Sequence, residues 1–255
     1  MRILFSLLLI PFSLSSQHFQ AQSAALADLN LLGPQALIFA NPAKKVHYKQ
    51  RLALHSCIWP GLKDLNQASI SFGHSAQRKH YGILLQQWGP THYREQILAM
   101  AFGLELSPKM AIGIRLDLVQ KQIVEQDKAL HMTSQLFWDY HPTKNWQWSN
   151  RLQISKQPLR PKLSLDSQMS FQGFKGLRLL LGISLPQQSP SFGAFALEYN
   201  FKDWLFLRQG FKLKQAVDYR AGLGFRWKAW VLDLGFQWQK ALGAGQQISL
   251  SYGWL

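Results

Sequence analysis

The sequence predicts an all-β fold, a transmembrane antiparallel β-barrel of about 14 strands behind a short N-terminal hatch segment. Three observations carry this. Strand-length segments with one apolar and one polar face repeat from residue 48 to residue 255. Tryptophans gather near the ends of those segments, where amphipathic rings anchor at headgroup depth. Finally, no later stretch reaches the roughly eighteen consecutive apolar residues of a membrane helix, although 47% of the residues are hydrophobic and only 16% charged.

The N-terminus reads as a secretory signal over 1–22. Met1 and Arg2 precede an apolar run over 3–14 and then Ser15 and Ser16, the order of a charged region, a hydrophobic region and a cleavage region, with cleavage between about 15 and 22. The run is too short to span a bilayer. Residues 23–47 do not alternate and carry Gly33-Pro34 and Asn41-Pro42, which suggests a folded hatch before or inside the barrel, or a periplasmic arm. The barrel itself takes 48–255.

Within it, candidate strands fall at roughly 49–59, 65–75, 78–89 and 92–107. Met110, Ile112, Ile114, Leu116 and Leu118 then oppose Gly113, Arg115 and Asp117. A further candidate lies near 128–141. Trp146, Trp148, Leu152 and Ile154 oppose Gln147, Ser149, Arg151 and Gln153, another strand lies near 163–172, and 177–185 alternates around Arg178, Gly182 and Ser184. Phe195, Leu197, Tyr199 and Phe201 oppose Ala194, Ala196, Glu198 and Asn200. Leu205, Leu207, Phe211 and Leu213 oppose Arg208, Gly210 and Lys212. The last three strands place Ala221, Leu223, Phe225 and Trp227, then Trp230, Leu232, Leu234, Phe236 and Trp238, then Ile248, Leu250, Tyr252 and Trp254 on one face.

A soluble sandwich also alternates, so strand length and aromatic placement decide. Segments of ten to fourteen residues exceed the five or six usual in soluble sheets. Trp204, Trp227, Trp230, Trp238 and Trp254 make the expected girdle, with Trp59, Trp88, Trp138 and Trp146 near other strand ends. Mid-strand arginines would be costly in lipid but fit a polar lumen. Closure removes the open edges that lipid would leave unpaired.

The single Cys57 excludes an intramolecular disulfide. Eight scattered histidines show no metal-ligand spacing, so neither a metal nor a cofactor is expected. His131, His141 and Ser134 are the candidates for a Ser-His-acid arrangement, but no motif singles them out and an enzyme is not expected. The net charge of +15 asks for an anionic neighbour, and export makes acidic lipid, including lipopolysaccharide, or an anionic solute the choice over nucleic acid. Arg178, Arg208, Lys212, Lys214, Arg220, Arg226 and Lys228 point into the lumen or toward its mouth. They form either a positive wall for anionic solutes or an ion-pair network with Asp117, Glu198 and Asp233.

Two stretches carry a family resemblance. The runs Ala196-Leu197-Glu198-Tyr199-Asn200-Phe201, Leu205-Phe206-Leu207-Arg208-Gln209-Gly210-Phe211, Gly222-Leu223-Gly224-Phe225 and Ile248-Ser249-Leu250-Ser251-Tyr252 resemble the closing strands of PorV/PorQ-like outer-membrane proteins. Ala40-Asn41-Pro42-Ala43 is similar to the Asn-Pro-Ala element those proteins share with the wider FadL-like group. The resemblance implies a fourteen-stranded barrel with an N-terminal hatch in an outer membrane of the Bacteroidota type, with Asn41, Pro42 and Ala43 shaping the hatch. It further implies a non-enzymatic accessory or scaffold of an outer-membrane secretion (type IX) or assembly complex, meeting that machine's subunits. The alternative is a FadL-like or porin-like channel for hydrophobic or anionic small solutes. This chain is shorter, more basic and poorer in long loops than the better-known members.

Overall fold

The computed structural model describes residues 39–43, 48–60, 66–89, 93–123, 128–156, 162–187, 189–214, 216–239 and 243–254. The signal segment over 1–22 and most of the stretch 23–47 lie outside them.

Fourteen strands follow in order: β1 Gln50–Ile58, β2 Gln67–Ala76, β3 Lys79–Trp88, β4 Tyr93–Ser107, β5 Met110–Ile123, β6 Ala129–Tyr140 and β7 Trp146–Lys156, then β8 Lys162–Phe174, β9 Leu177–Pro186, β10 Phe192–Lys202, β11 Leu205–Leu213, β12 Val217–Trp227, β13 Trp230–Gln239 and β14 Gly243–Trp254. Each pairs antiparallel with the next, and β1 closes on β14 from Gln50 opposite Trp254 to Ile58 opposite Gln246. Closure leaves no strand edge without a hydrogen-bonding neighbour, which a sheet surrounded by hydrocarbon requires. Strands of nine to fifteen residues are long enough to cross at a tilt.

Burial runs inside out. On β5 the guanidinium-bearing Arg115 is 1% exposed, while Ile114 and Leu116 beside it are each 43% exposed. The same alternation holds on β3, where His80, Leu84 and Gln86 are buried and Tyr81, Ile83 and Leu85 are exposed. A water-soluble protein does not leave so continuous an apolar wall uncovered. The outer face therefore meets lipid, and a closed antiparallel barrel of this kind is an integral outer-membrane protein.

The two ends differ. At one end the strands join through short turns, Gln77-Arg78, Pro108-Lys109, 141–145, Lys175-Gly176, Asp203-Trp204 and Lys228-Ala229, and β1 begins and β14 finishes there. This is the periplasmic end by the usual arrangement of such barrels. Two of its turns hold a non-glycine residue at positive φ, Gln77 and Lys228, both at 54°. Gly176, at φ 78°, must be glycine, since a Cβ there would lie 2.6 Å from the Asn200 carbonyl oxygen.

Trp146, Trp204, Trp227, Trp230 and Trp254 are exposed on the outer wall at the turn end, and Trp238 is exposed near the other end. Two other tryptophans depart from the expected girdle. Trp59 is only 7% exposed, and its ring packs where Gly245 lacks a side chain. Trp88 is in phase with the inward residues of β3 and meets Tyr93 edge-on at 5.4 Å. Nearness to a strand end fixes the height of a ring, whereas its parity fixes the face.

The wall makes a direct prediction. Leu116→Arg should destabilise the barrel by about 2–4 kcal/mol in urea unfolding from lipid vesicles. A cost near zero, as for an exposed leucine in water, would contradict the lipid-facing assignment.

Candidate functional site

The candidate site is the lumen, which is lined by buried side chains and entered by the chain itself. Residues 39–43 lie inside the barrel, all five buried. Their position follows from small residues on the inward faces of β4 and β5. Ala99, Ala101 and Gly103 on one strand and Ala111 and Gly113 on the next leave a trough. A Cβ on Gly103 would collide with the Pro42 carbonyl oxygen, and one on Gly113 would stand 2.7 Å from the Ala43 nitrogen. The polypeptide thus takes the space that side chains would otherwise occupy.

Polar contacts hold it. Arg115 donates from Nη1 to the Phe39 carbonyl at 2.7 Å and from Nε to Asp117 at 2.6 Å, and Gln135 donates to the other Asp117 oxygen at 2.7 Å. Asn41 turns the segment on itself, its Oδ1 accepting from the Ala43 N–H at 3.0 Å, and its amide reaches Ser149 at 3.5 Å. Ser149 donates in turn to Asp139, which also takes Gln147 and lies 2.9 Å from His141 Nε2. Buried charge-assisted bonds of this kind are strong because water does not compete.

An apolar strip flanks the segment. Phe39 packs with Ala53, Leu84, Ile97, Ala99 and Ala101, with Val119 alongside, while Ala43 packs with Ala111 and Phe137. On the outer side of the same strands, a concavity of about 910 Å³ is lined by outward residues including Leu54, Ile70, Leu85, Leu98, Leu118 and Leu130. Apolar surface therefore stands on both sides of the wall between β1 and β6.

The opposite half of the lumen is ionic. Arg208 donates to Glu198 at 2.7 Å and reaches Asp233 on β13, two strands away. It can do so because Gly224 on the intervening β12 has no side chain: a Cβ there would lie 2.6 Å from the Asp233 carboxylate and 2.7 Å from the guanidinium. Arg178 meets Gln147 and Ser170, each at 3.1 Å, and stands 3.9 Å from Glu198. Arg226 lies 4.9 Å from the Phe206 ring centroid, and Lys212 lies 4.0 Å from that of Phe192. Arg220 is fully buried opposite Gln237, and Arg51 donates to Ser251 at 2.7 Å.

Arg178, Arg208, Lys212, Arg220 and Arg226 thus face inward with Asp117, Glu198 and Asp233. They are gathered into contacts with carboxylates, amides and rings, not set out as a bare positive wall. Lys214 and Lys228 are exposed at opposite rims. Ser134 and His131 sit on opposite faces of β6 by parity, so they cannot act on one substrate. A Ser-His-acid chain occurs elsewhere, Ser75 to His80 Nδ1 at 3.0 Å and His80 Nε2 to Glu105 at 3.2 Å, across β2, β3 and β4. No sequence motif marks it, because its members are joined by register alone. No group of three or more metal-ligating side chains occurs among the described residues.

No family model matches the chain, and no curated protein resembles it significantly. Solved structures do. The CymD monoaromatic hydrocarbon channel aligns over 93% of this chain and 94% of its own length, with a TM-score of 0.64 and 11% identity. The toluene transporter TodX of Pseudomonas putida aligns over 93% of this chain and 99% of its own, with a TM-score of 0.61 and 11% identity. At that identity the likeness is one of fold.

Two substitutions test the lumen. Gly103→Val suits a strand but takes the space of Pro42, so a cysteine placed at Phe39 in a Cys57→Ala background should become reactive to a water-soluble maleimide. Unchanged protection would show that the trough does not seat the segment. Gly224→Val should cost about 3–5 kcal/mol in vesicle unfolding by parting Arg208 from Asp233, and a loss below about 1 kcal/mol would contradict the need for that gap.

Proposed function

We propose that this barrel is a channel for small hydrophobic solutes, closed in the described conformation by residues 39–43. The carrying observation is the apolar strip of Ala53, Leu84, Ile97, Ala99 and Ala101 under Phe39, inside a lumen whose other side holds the ion pairs of Arg208 with Glu198 and Asp233. Withdrawing the segment would bare this strip and the trough beside it, giving an apolar solute a surface that water wets poorly. The concavity on the outer side of the same strands adds a second apolar surface close by. The named activities of the two similar barrels, hydrocarbon passage and toluene transport, agree with this reading. An open aqueous pore agrees less well, since the lumen is occupied by backbone and paired charge.

Cells assembling the barrel in their outer membrane should take up a labelled monoaromatic compound faster than cells lacking it, and the purified barrel should pass little steady current in planar bilayers. Equal uptake with the barrel correctly assembled, or a large ohmic conductance in the native chain, would overturn the proposal.

A second reading is the PorV/PorQ-like accessory or scaffold role in type IX secretion or assembly. Its supporting observation is the short turns at the periplasmic end, which leave a smooth rim for a partner subunit. Isolation from native membranes should then bring secretion or assembly subunits along, and repeated recovery of the barrel alone would count against it.

A further inference from the structure

The lumen accounts for little of the net charge of +15, because its arginines are largely offset by the buried carboxylates Asp117, Asp139, Asp166, Glu198 and Asp233. Much of the excess stands at the turn end. Lys49 precedes β1, and every hairpin turn there carries or adjoins a cation: Arg78 and Lys79, Lys109, Lys144, Lys175, Lys202 and Lys228. All eight side chains are exposed. Asp203 is the one carboxylate in those turns, so this rim holds seven of the fifteen net charges. Among the described residues none of the eight lies within ion-pair distance of a carboxylate. Among the described residues at the other end, cations stand beside carboxylates: Lys121 lies 3.4 Å from Glu95, and Lys212 is paired across the sheet with Asp218.

We propose that the turn end is a ring-shaped binding surface for anionic phospholipid headgroups of the leaflet that faces it. Two features favour lipid over a protein partner. The cations are spread one hairpin at a time around the whole circumference, which matches an annulus of lipid and not a one-sided docking patch. They also stand beside outward rings that mark the headgroup boundary: Lys228 lies 5.1 Å from the centroid of Trp227, Lys202 lies 5.9 Å from that of Phe201, and Trp146, Trp204 and Trp254 sit at the same end. A lysine stem laid along such a ring keeps its ammonium at phosphate height. Each cation near an anionic surface is worth about fivefold in association, within a Debye length and subject to salt. This inference is independent of what the lumen carries.

The test uses the full chain reconstituted in vesicles, with spin-labelled phosphatidylglycerol and phosphatidylcholine as probes of the lipid layer in contact with the wall. The native barrel should select phosphatidylglycerol by about fivefold or more. That preference should fall toward unity at high ionic strength and in the variant Lys109→Gln, Lys144→Gln, Lys175→Gln, Lys202→Gln, and should persist in Lys214→Gln at the other end. Equal association of the two lipids with the native chain would overturn the proposal, and so would a preference that high salt leaves intact, a result that does not depend on how well the variant assembles. A preference that survives the four substitutions would also overturn it. So would loss of a captured acidic protein from the variant with lipid selection intact, which would make the rim a protein-docking surface.

Discussion

Hydrocarbon offers a peptide group nothing to bond to, and most features of this barrel follow from that constraint. Fourteen strands must close because any edge would be left unpaired, and β1 therefore meets β14 along its whole length. Once closed, the wall has one face toward lipid and one toward the lumen, so alternating residues receive opposite instructions. Most isoleucines and leucines go out, Leu84 and Ile97 under Phe39 being exceptions, and arginine, aspartate and glutamine go in.

The inward charges then face a second constraint. A buried guanidinium without an anion is expensive, and the lumen meets this by reaching across strands as well as along them. Gly224 makes way for the Arg208 contact with Asp233, and Gly103 and Gly113 make way for Pro42 and Ala43. Arg115 links the two solutions, binding a carboxylate of the wall through one nitrogen and the backbone of the enclosed segment through another. The same glycines that would weaken a soluble strand are what allow this interior to be dense.

Alternation is local, which is why the faces, the barrel and the strand count were readable from sequence. Partners are not local. That Arg208 meets Asp233 depends on a missing side chain one strand away, and that Arg115 holds Phe39 brings together residues 76 positions apart in the chain. Nearness to a strand end does not put Trp59 and Trp88 on the outer wall, because parity decides the face, and parity likewise separates Ser134 from His131. The net charge was legible as a number and not as a place: the turns that carry it are short and look like ordinary hairpin punctuation until closure gathers them on one rim.

In this arrangement lipid lies outside, and buried side chains and residues 39–43 stand inside. Nitroxide labels placed one at a time along β5, from residue 110 to residue 121, test it most directly when collision with lipid-soluble oxygen is compared with collision by a water-soluble nickel chelate. Oxygen accessibility should peak at even positions such as 112, 114 and 116, with odd positions 113, 115 and 117 sheltered from both reagents. Odd positions open to the chelate would mean a water-filled lumen, and loss of the period of two would contradict the inside-out barrel itself.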